Sequence, residues 1–350
     1  MRLYRYTRLI VNCISHWTFK PIALPEKPTL TSKDVTIIIP TIDGEGSDFQ
    51  QTLSTCLYTD PAEIILVTID AKLERLKAVV AQSAHSSRIR VFSVAHANKR
   101  RQMCHALPKV VTKITLFADD DVIWPPKILD WILAAFERPE IGGVGTCQRL
   151  RRAGRPNIWG FLAALYLERR NFEISATTHI DGGVSCLSGR TAAYRTHILQ
   201  DPEFTYSFTH EYWLGKYQLN TDDDNFITRW MVSHRWKTYV QYHREAELRT
   251  TLEDNSRFLR QCLRWSRTII GDGLLVFLLS KTTQDWDSHS RWYALGALLL
   301  WMLISKFVKI LGHFIRYPGD VLLLPVSILF GYFHGLIKVY AFFSLNVVGL

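Results

Sequence analysis

Three consecutive aspartates, Asp119, Asp120 and Asp121, directly follow the apolar, β-prone run Ile114–Ala118. Such a run predicts a buried parallel strand, and ligands of open α/β sheets bind outside the carboxyl ends of the strands. Adjacent carboxylates raise one another's pKa unless a cation shares the site. The spacing of Asp119 and Asp121 lets both turn toward one divalent ion, which one or two carboxylates and substrate phosphates commonly hold. The alternative is an acidic turn or helix N-cap.

A second acidic run, Thr221-Asp222-Asp223-Asp224, precedes a predicted helix. Thr221 or Asp222 can cap that helix, and the helix dipole favours carboxylates in its first turn. Capping and the dipole explain one or two of these residues. Three in a row indicate a further role, such as a general base beside an active site.

Asp70 closes another apolar run, residues 64–69, and could hold a uracil or ribose group by hydrogen bonds. The alternative for Asp70 is a helix N-cap. Asn98-Lys99-Arg100-Arg101 places three cations at a predicted helix start, where the dipole disfavours them. Phosphate binding would give these cations a role, and a solvated run of charges is the alternative.

Two further stretches could contact a ligand. Residues 179–190, which include Ser188 and Gly189, are rich in small residues and turn formers, as in loops whose backbone approaches a ligand closely. Residues 257–267 predict an amphipathic helix. Gln261, Arg264 and Trp265 share one face of it, where they could bind diphosphate and stack on a sugar. The alternative is a basic helix that faces a membrane.

The elements that must position these residues alternate between strand and helix patterns. Alternation of this kind predicts right-handed βαβ units and a parallel sheet, so that Asp70 and Asp119 fall at one sheet edge. The predicted strands are residues 35–40, 64–69, 89–94 and 114–118, and the predicted helices are residues 49–58, 72–84 and 99–107.

Composition narrows the partners. The 350 residues carry a net charge of +10, which favours anionic partners such as a nucleotide or an anionic membrane face. The sequence contains no recognisable nucleic-acid-binding module, so no nucleic-acid partner is expected. The six cysteines are scattered without a CxxC pair or zinc spacing, which predicts reduced, mostly buried thiols of a cytosolic domain.

The C-terminal part is typical of a membrane protein. Residues 292–304 and 321–337 are apolar and predict two transmembrane helices joined by a turn. The shorter apolar run 269–279 predicts an interfacial helix. The basic, aromatic residues 1–20 predict either another interfacial helix or the remnant of a longer N-terminus. Basic residues before Trp292 place the catalytic domain in the cytosol. The alternative is a buried helical domain of a soluble protein.

Taken in order, these motifs resemble the signature of family 2 inverting glycosyltransferases, which reads D, DxD, (T/G)(E/D)D and QxxRW. The matching residues are Asp70, Asp119 to Asp121, Thr221 to Asp224, and Gln261 with Arg264 and Trp265. Residues 188–195 resemble the loop near the acceptor in hyaluronan synthases. The subgroup suggested is the fungal polysaccharide synthases of the hyaluronan and capsule synthase type. This resemblance implies a GT-A-like α/β fold, a mostly parallel sheet flanked by helices, followed by a C-terminal membrane helical region.

The resemblance also implies a reaction: transfer of a sugar from a UDP-sugar to a growing polysaccharide, with inversion and processively. Asp119 and Asp121 would hold Mg²⁺ or Mn²⁺, and Ser188, Gly189 and Trp265 would contact the acceptor. Because the third motif here is three aspartates, the base is assigned by register, which selects Asp224. The residues implied to bind the nucleotide sugar are Asp70, Lys99, Asp119, Asp120, Gln261, Arg264 and Trp265.

The expected domains are an interfacial segment and linker (1–32), the glycosyltransferase domain (33–268), an interfacial helix and loop (269–290), and two membrane spans (291–350). The lipid bilayer is therefore an expected partner, at the plasma membrane or a secretory-pathway membrane, and the oligomeric state is left open. Two alternatives remain: a transferase of single sugars to a lipid phosphate, and an inactive membrane scaffold.

Overall fold

The strands of the chain are short, apolar and separated by helices. The computed structural model describes residues 2–152, 157–213, 215–220, 222–265 and 287–343. The strands within these ranges are β1 (Val35–Pro40), β2 (Glu63–Ile69), β3 (Ile89–Val94), β4 (Ile114–Ala118), β5 (Val122–Ile123), β6 (Ile141–Thr146), β7 (Gln148–Leu150), β8 (Thr191–Arg195), β9 (Tyr212–Trp213), β10 (Tyr217–Gln218), β11 (Lys237–Gln241) and β12 (Leu248–Thr250).

The helices that accompany the strands vary in length from one turn to eight. Within the same ranges they are α1 (Arg2–Thr18), α2 (Ser47–Tyr58), α3 (Leu73–Ala81), α4 (Lys99–Ala106), α5 (Ile128–Phe136), α6 (Ile158–Asp181), α7 (Thr196–Leu199), α8 (Pro202–Thr209), α9 (Asp223–Ser233), α10 (Phe258–Trp265), α11 (Ser288–Arg316) and α12 (Leu324–Phe343).

The chain divides into two compact units. The first, which we call the sheet unit, comprises Ile14–Arg151 and Ile174–Thr251. The second, the helical unit, comprises Met1–Cys13, Arg152–Glu173 and Leu252–Leu350. All twelve strands described above belong to the sheet unit.

Seven strands form the central sheet of the sheet unit, in the order β11-β6-β8-β4-β1-β2-β3. Strands β1, β2, β3 and β4 pair in parallel, and so do β6 and β11. Strand β8 lies between β4 and β6 and is antiparallel to both. The six other strands therefore run in one direction, and the segment that precedes β8 meets the segment that follows β4 at one edge of the sheet.

Helices cover both faces of the central sheet, which is why its strands are apolar at nearly every position. Along β1, Ile37 packs on one face with the α2 residue Leu53, and Ile38 packs on the other with the α4 residue Met103. All six residues of β1 are buried. A run of branched apolar residues thus satisfies both faces at once, as the sequence indicates.

The sequence-based strands and the fold class are confirmed. Strands β1, β3 and β4 have the predicted bounds, and β2 begins one residue earlier, at Glu63. Helix α3 ends at Ala81 rather than at residue 84. The sheet is mostly parallel, as expected, except for β8. The six cysteines are free thiols, and five of them are buried.

The prediction of a loop over residues 179–190 is wrong at its start. Helix α6 continues to Asp181, and the turn begins at Gly182, whose φ is +74°. The last turns of α6 are held by hydrogen bonds to Ser15. The hydroxyl of Ser15 donates to the carbonyl of Ala176 (2.7 Å), and the ring Nδ1 of His179 lies 2.9 Å from the Ser15 carbonyl. These long-range contacts extend the helix beyond what the local residue types indicate.

Two segments of the helical unit, Ser288–Arg316 and Pro318–Ile337, are long and apolar enough to cross a membrane, by length and composition. They contain the two predicted spans. The turn between them is held by Asp320, whose carboxylate pairs with Arg152 (2.9 Å) and with the ring of His313 (2.8 Å). The predicted interfacial run 269–279 lies outside the described residues.

Candidate active site

The first acidic run leaves the sheet at the end of β4. The backbone amide of Asp119 donates to the carbonyl of Arg190 (3.0 Å), which continues the pairing of β4 with the segment before β8. Asp120 turns toward the end of β1, where the hydroxyl of Thr41 donates to its Oδ2 (2.6 Å). Burial raises the pKa of Asp120, the Thr41 hydrogen bond opposes the shift, and the neighbouring Asp119 adds to it.

Asp121 turns in a third direction. The hydroxyl of Thr251, just after β12, donates to Asp121 Oδ2 (3.1 Å). Its Oδ1 is buried and has no hydrogen-bond partner within the part of the chain that the structure describes. Burial raises the pKa of Asp121 to about 6, and the charge of Asp119 adds to this effect. A buried, unpartnered carboxylate oxygen beside a second carboxylate is a suitable ligand for a hard cation.

A resident divalent ion fits these residues only in part. Across the described ranges, no group of three His, Cys, Asp or Glu side chains could enclose an ion. Asp119 and Asp121 could supply two oxygen ligands, and the remaining positions of a magnesium or manganese ion would be filled by donor phosphates and water. The donor set therefore suits an ion that arrives with a nucleotide.

Lys99 connects the two acidic runs. Its Nζ lies 2.7 Å from Asp119 Oδ1 and 3.1 Å from Asp223 Oδ2. Asn98 caps the helix that carries it, since the Asn98 side chain accepts from the amide of Arg101. Burial would lower the pKa of the Lys99 ammonium, but the charges of Asp119 and Asp223 outweigh it and raise the pKa. Lys99 is thus a permanent cation.

Asp223 and Asp224 occupy the first turn of α9 and face different partners. Burial raises the pKa of Asp223, and the ammonium of Lys99 opposes this shift without reversing it. The Oδ2 of Asp224 accepts from the backbone amide of Gly189 (3.2 Å). Its Oδ1 accepts from the amide of Asn225 (2.8 Å). The two carboxylates therefore have separate environments, as their separate positions on a helical turn require.

Asp222 does not cap α9 in the way that the sequence indicates. It stands at the N-cap position, but its φ of 59° is left-handed and its side chain makes no capping hydrogen bond. A cap side chain reaches the helix amides from an extended backbone, and the left-handed conformation turns it elsewhere. The other candidate cap, Thr221, lies outside the described residues.

The loop before β8 packs closely on these carboxylates. A Cβ added at Gly189 would lie 3.0 Å from Asp223 Oδ2, 3.1 Å from Lys99 Nζ and 3.5 Å from Asp224 Cβ. Any side chain at this position would have to displace the ion pair. Next to it, Ser188 is buried. The predicted acceptor loop and the predicted base are therefore direct neighbours.

Arg100 is not placed for the phosphate-binding role that the charged start of α4 suggested. Charge at the start of α4 indicated phosphate binding, but only 2% of Arg100 is exposed. Its guanidinium donates to the carbonyls of Phe208 (3.1 Å) and Asp222 (3.2 Å) and pairs with Glu211 (2.8 Å). Sequence analysis could not distinguish this inward arginine from a surface cation, because local charge does not show direction.

Asp70 lies at the same sheet edge as Asp119, as predicted, at the exposed end of β2. Strand β1 separates β2 from β4, which puts their ends about 10 Å apart in the plane of the sheet. The charge of Asp70 affects the pKa of His105 on α4. Burial lowers the pKa of His105, Lys109 adds to the shift, and Asp70 opposes it. Asp70 thus contributes negative charge to the side of the site nearest β3.

Gln261, Arg264 and Trp265 belong to the helical unit. Helix α10 contains all three, and Arg264 and Trp265 are in its last turn. The amide oxygen of Gln261 is buried without a hydrogen-bond partner among the described residues. The predicted helix is thus present over Phe258–Trp265.

Comparison with known proteins identifies the family of the chain. The sequence model of the family described as "Glycosyltransferase like family 2" matches residues 33–268. A protein of Zymoseptoria tritici named "Type 2 glycosyltransferase" is 51% identical over 98% of this chain and 80% of its own length. Mouse "Hyaluronan synthase 3" is 28% identical over 67% of this chain and 39% of its own length.

A solved structure supports the fold. The mannosyltransferase of Pyrobaculum calidifontis, in complex with GDP-Man and Mn²⁺, superimposes with a TM-score of 0.55 at 16% identity, over 97% of this chain and 92% of that one. Together with the ordered motifs, these matches show that the chain belongs to the family 2 glycosyltransferases. It is an enzyme of GT-A-like fold, with a nucleotide sugar as donor and a glycan as acceptor.

Proposed function

We propose that this enzyme transfers a sugar from a UDP-sugar to a growing polysaccharide, with inversion and processively. The observation that carries the proposal is the ion pair network of Lys99, which joins Asp119 of the first acidic run to Asp223 of the second. The network brings a candidate phosphate-binding edge next to a candidate base. Homology to a protein named hyaluronan synthase supports a polymeric product.

In this proposal the donor lies along the edge formed by β1, β2 and β4. Asp70 holds the nucleoside, and Asp120 and Lys99 contact the nucleotide sugar. Lys99 is well suited to a diphosphate because its ammonium remains charged. It also lies 2.7 Å from Asp119, which is a proposed ligand of the ion that would bind the same diphosphate. Asp119 and Asp121 would hold Mg²⁺ or Mn²⁺. When bound, the ion would stabilise the charge that develops on the leaving diphosphate. The Mn²⁺ in the mannosyltransferase structure supports a divalent ion.

The acceptor approaches from the side of Ser188 and Gly189. Asp224 removes the proton of the acceptor hydroxyl as that oxygen forms its bond to the anomeric carbon. The bond from the anomeric carbon to the diphosphate breaks at the same time, and the diphosphate leaves with the electron pair. One displacement inverts the configuration. Two backbone amides, of Gly189 and Asn225, donate to Asp224 and hold its carboxylate in place.

Gln261, Arg264 and Trp265 complete the proposal as the QxxRW motif of α10. Arg264 would neutralise phosphate charge, Gln261 would contact the donor, and Trp265 would stack under the acceptor sugar. An indole face binds sugars by apolar contact and leaves the polymer able to slide, which suits repeated additions. The proposal rests on the spacing i, i+3 and i+4, which in a helix brings residues to one face.

The two apolar segments after residue 287 would anchor the enzyme in a bilayer as a hairpin, with the catalytic domain in the cytosol. The plasma membrane or a secretory-pathway membrane would be its site. Helix α1 would lie at the interface, because Ile10, Ile14 and Trp17 are exposed on a helix that also carries arginines. The proposed domains remain residues 1–32, 33–268, 269–290 and 291–350.

Purified membranes incubated with one radiolabelled nucleotide sugar at a time, with Mn²⁺ or with a chelator, test the proposal. GDP-Man is included, and Asp224→Asn membranes are the matched control. Label from a UDP-sugar in a high-molecular-weight product, lost on chelation and in the variant, is expected. Label confined to a lipid-extractable product carrying one sugar would indicate the single-sugar transferase instead. Label from GDP-Man alone would overturn the donor, and no incorporation would favour an inactive scaffold.

A further inference from the structure

Arg100 is the largest fully buried side chain described in the protein, and it is charged. Three of its acceptors, all within the described residues, come from three different segments. They are the carbonyl of Phe208 in the last turn of α8, the carboxylate of Glu211, and the carbonyl of Asp222 before α9. A guanidinium is a planar fork that can serve several acceptors in fixed directions, which the flexible point charge of a lysine cannot do.

Aromatic rings hold the guanidinium in place. Its Cζ lies 5.2 Å from the ring centre of Phe208 and 5.3 Å from that of Phe226. The two rings themselves are 5.3 Å apart. A cation between packed aromatic faces is stabilised by their quadrupoles and has little freedom to move. The direction of each hydrogen bond is therefore set by the core.

The contact with Asp222 is the one that concerns chemistry. Asp222 has a φ of 59°, a region that residues other than glycine seldom adopt. Its carbonyl accepts from Arg100 and also from the amide of Phe226 (3.1 Å), in the first turn of α9. The left-handed turn at this residue decides where the next two side chains, Asp223 and Asp224, point.

Those two side chains contact other parts of the site. Asp223 reaches Lys99, the residue next to Arg100 on the first turn of α4. Asp224 reaches the amide of Gly189. Lys99 and Arg100, neighbours in the first turn of α4, thus both bind the second acidic run. Lys99 holds it through a side chain, and Arg100 holds it through the backbone.

We propose that Arg100 is a positioning residue for the base. It holds the carbonyl of Asp222, keeps the left-handed turn formed, and so aims Asp224 at the acceptor side of the site. Arg100 touches neither donor nor acceptor. The inference rests on the proposed role of Asp224, and it requires that loss of the fork slows turnover without weakening donor binding.

The test replaces Arg100 by lysine, which keeps the charge beside Glu211 and removes the fork. The control is Arg229→Lys. Arg229 also pairs with Glu211 (2.5 Å) and also lies over Phe226, but 60% of its side chain is exposed. We expect kcat of R100K to fall roughly 10- to 100-fold, as a small misplacement of a reacting group does. The donor KM and the UDP affinity should stay within about threefold, and R229K should match the wild type.

A second substitution separates positioning from general support of the fold. Glycine adopts positive φ without steric cost, so Asp222→Gly should keep the turn without help from Arg100. We expect D222G to restore most of the lost kcat in the R100K background, when R100K/D222G is compared with D222G alone. Hydrogen exchange reads the same effect without turnover. The amide of Phe226 should lose protection in R100K and regain it in the double variant.

Three outcomes would overturn the inference. They are R100K with normal kcat, R100K in which kcat and thermal stability fall while the donor KM rises and D222G restores none of them, and an unchanged Phe226 amide in R100K. Failure of the proposed function would look different. In that case Asp224→Asn would turn over normally, or the wild type would not bind UDP, whatever the hydrogen exchange of R100K showed.

Discussion

The backbone amide of Gly189 donates a hydrogen bond to Oδ2 of Asp224, across 3.2 Å. The two residues are 35 positions apart, and they meet because the reversed strand β8 starts where α9 starts. The loop that the sequence associates with the acceptor therefore contacts the proposed base directly. A change in this loop should therefore affect Asp224 and also the ion pair of Lys99 and Asp223, which packs against Gly189.

Gly189→Ala should reduce turnover about tenfold or more, because its new methyl would lie 3.0 Å from Asp223 Oδ2 and 3.1 Å from Lys99 Nζ. The affinity for UDP should fall less, since Asp70 and Asp120 are untouched. Steady-state kinetics and UDP titration measure the two effects. Gly319→Ala is the control, because a Cβ there would meet nothing within 4 Å. Equal turnover in both variants would contradict the close packing.

Asp224→Asn keeps the shape of the side chain and removes the proton acceptor, so turnover should fall about 10²- to 10⁴-fold. Asp222→Asn should remain active, because asparagine tolerates the left-handed conformation and the Asp222 side chain does not cap α9. UDP release and UDP affinity are measured separately for each. An inactive Asp222→Asn beside an active Asp224→Asn would require the base to be reassigned.

Asp121→Asn should weaken Mn²⁺ binding and abolish transfer while the protein stays folded. Its effect on metal-free stability has the opposite sign. The pKa of Asp121 is raised to about 6, so the native state holds a proton that the unfolded state has lost, and stability falls as pH rises from about 4 to about 6. At pH 7.5 the variant should be more stable by roughly 1–3 kcal/mol.

Thermal unfolding of the metal-free proteins at pH 7.5 and below pH 4 checks this sign. The gain should disappear at the lower pH, where Asp121 is protonated in both states. Calorimetric titration with Mn²⁺ and UDP checks the ligand role independently of turnover. Normal turnover of the variant in the presence of a chelator would remove Asp121 from the metal site.

Lys99→Met should weaken UDP binding about tenfold or more, since a phosphate contact with a permanent cation is lost. It also leaves Asp119 and Asp223 without their shared partner, so the pKa of Asp223 should rise further. Titration with UDP at two salt concentrations measures the first effect, because an ionic contact weakens with salt. Lys77→Met is a suitable control, since that lysine pairs with Glu74 at the surface.

Much of the sheet could be predicted from the sequence. Strands β1, β3 and β4 are runs rich in branched apolar residues between residues that disfavour strands, so their type and their ends could be predicted. Strand β8 was not, because Thr191–Arg195 is short and contains two alanines, and nothing local shows its direction. Its reversal is a property of the whole sheet.

The site was predictable as a set of residue types and less so as a set of contacts. The carboxylates at the strand ends were found from spacing alone. The inward direction of Arg100 and the left-handed turn at Asp222 were not, because both depend on segments over 100 residues away in sequence. The end of helix α6, predicted as part of a loop from residue 179, differs for a similar reason, since contacts with Ser15 extend the helix to Asp181.

Strand β8, which is antiparallel to its neighbours in the central sheet, separates the candidate site into two parts that reach it from opposite chain directions. The residues that follow β1, β2 and β4 lie at the edge where these strands end. Residues 182–190 lie at the same edge, because the antiparallel strand β8 begins there. A change of length in that segment leaves the pairing of β4 with β1 unaltered. Under the proposed function, variation within residues 182–188 would change the surface offered to the glycan while the nucleotide edge is kept, and the close packing at Gly189 marks where exchange between relatives must stop.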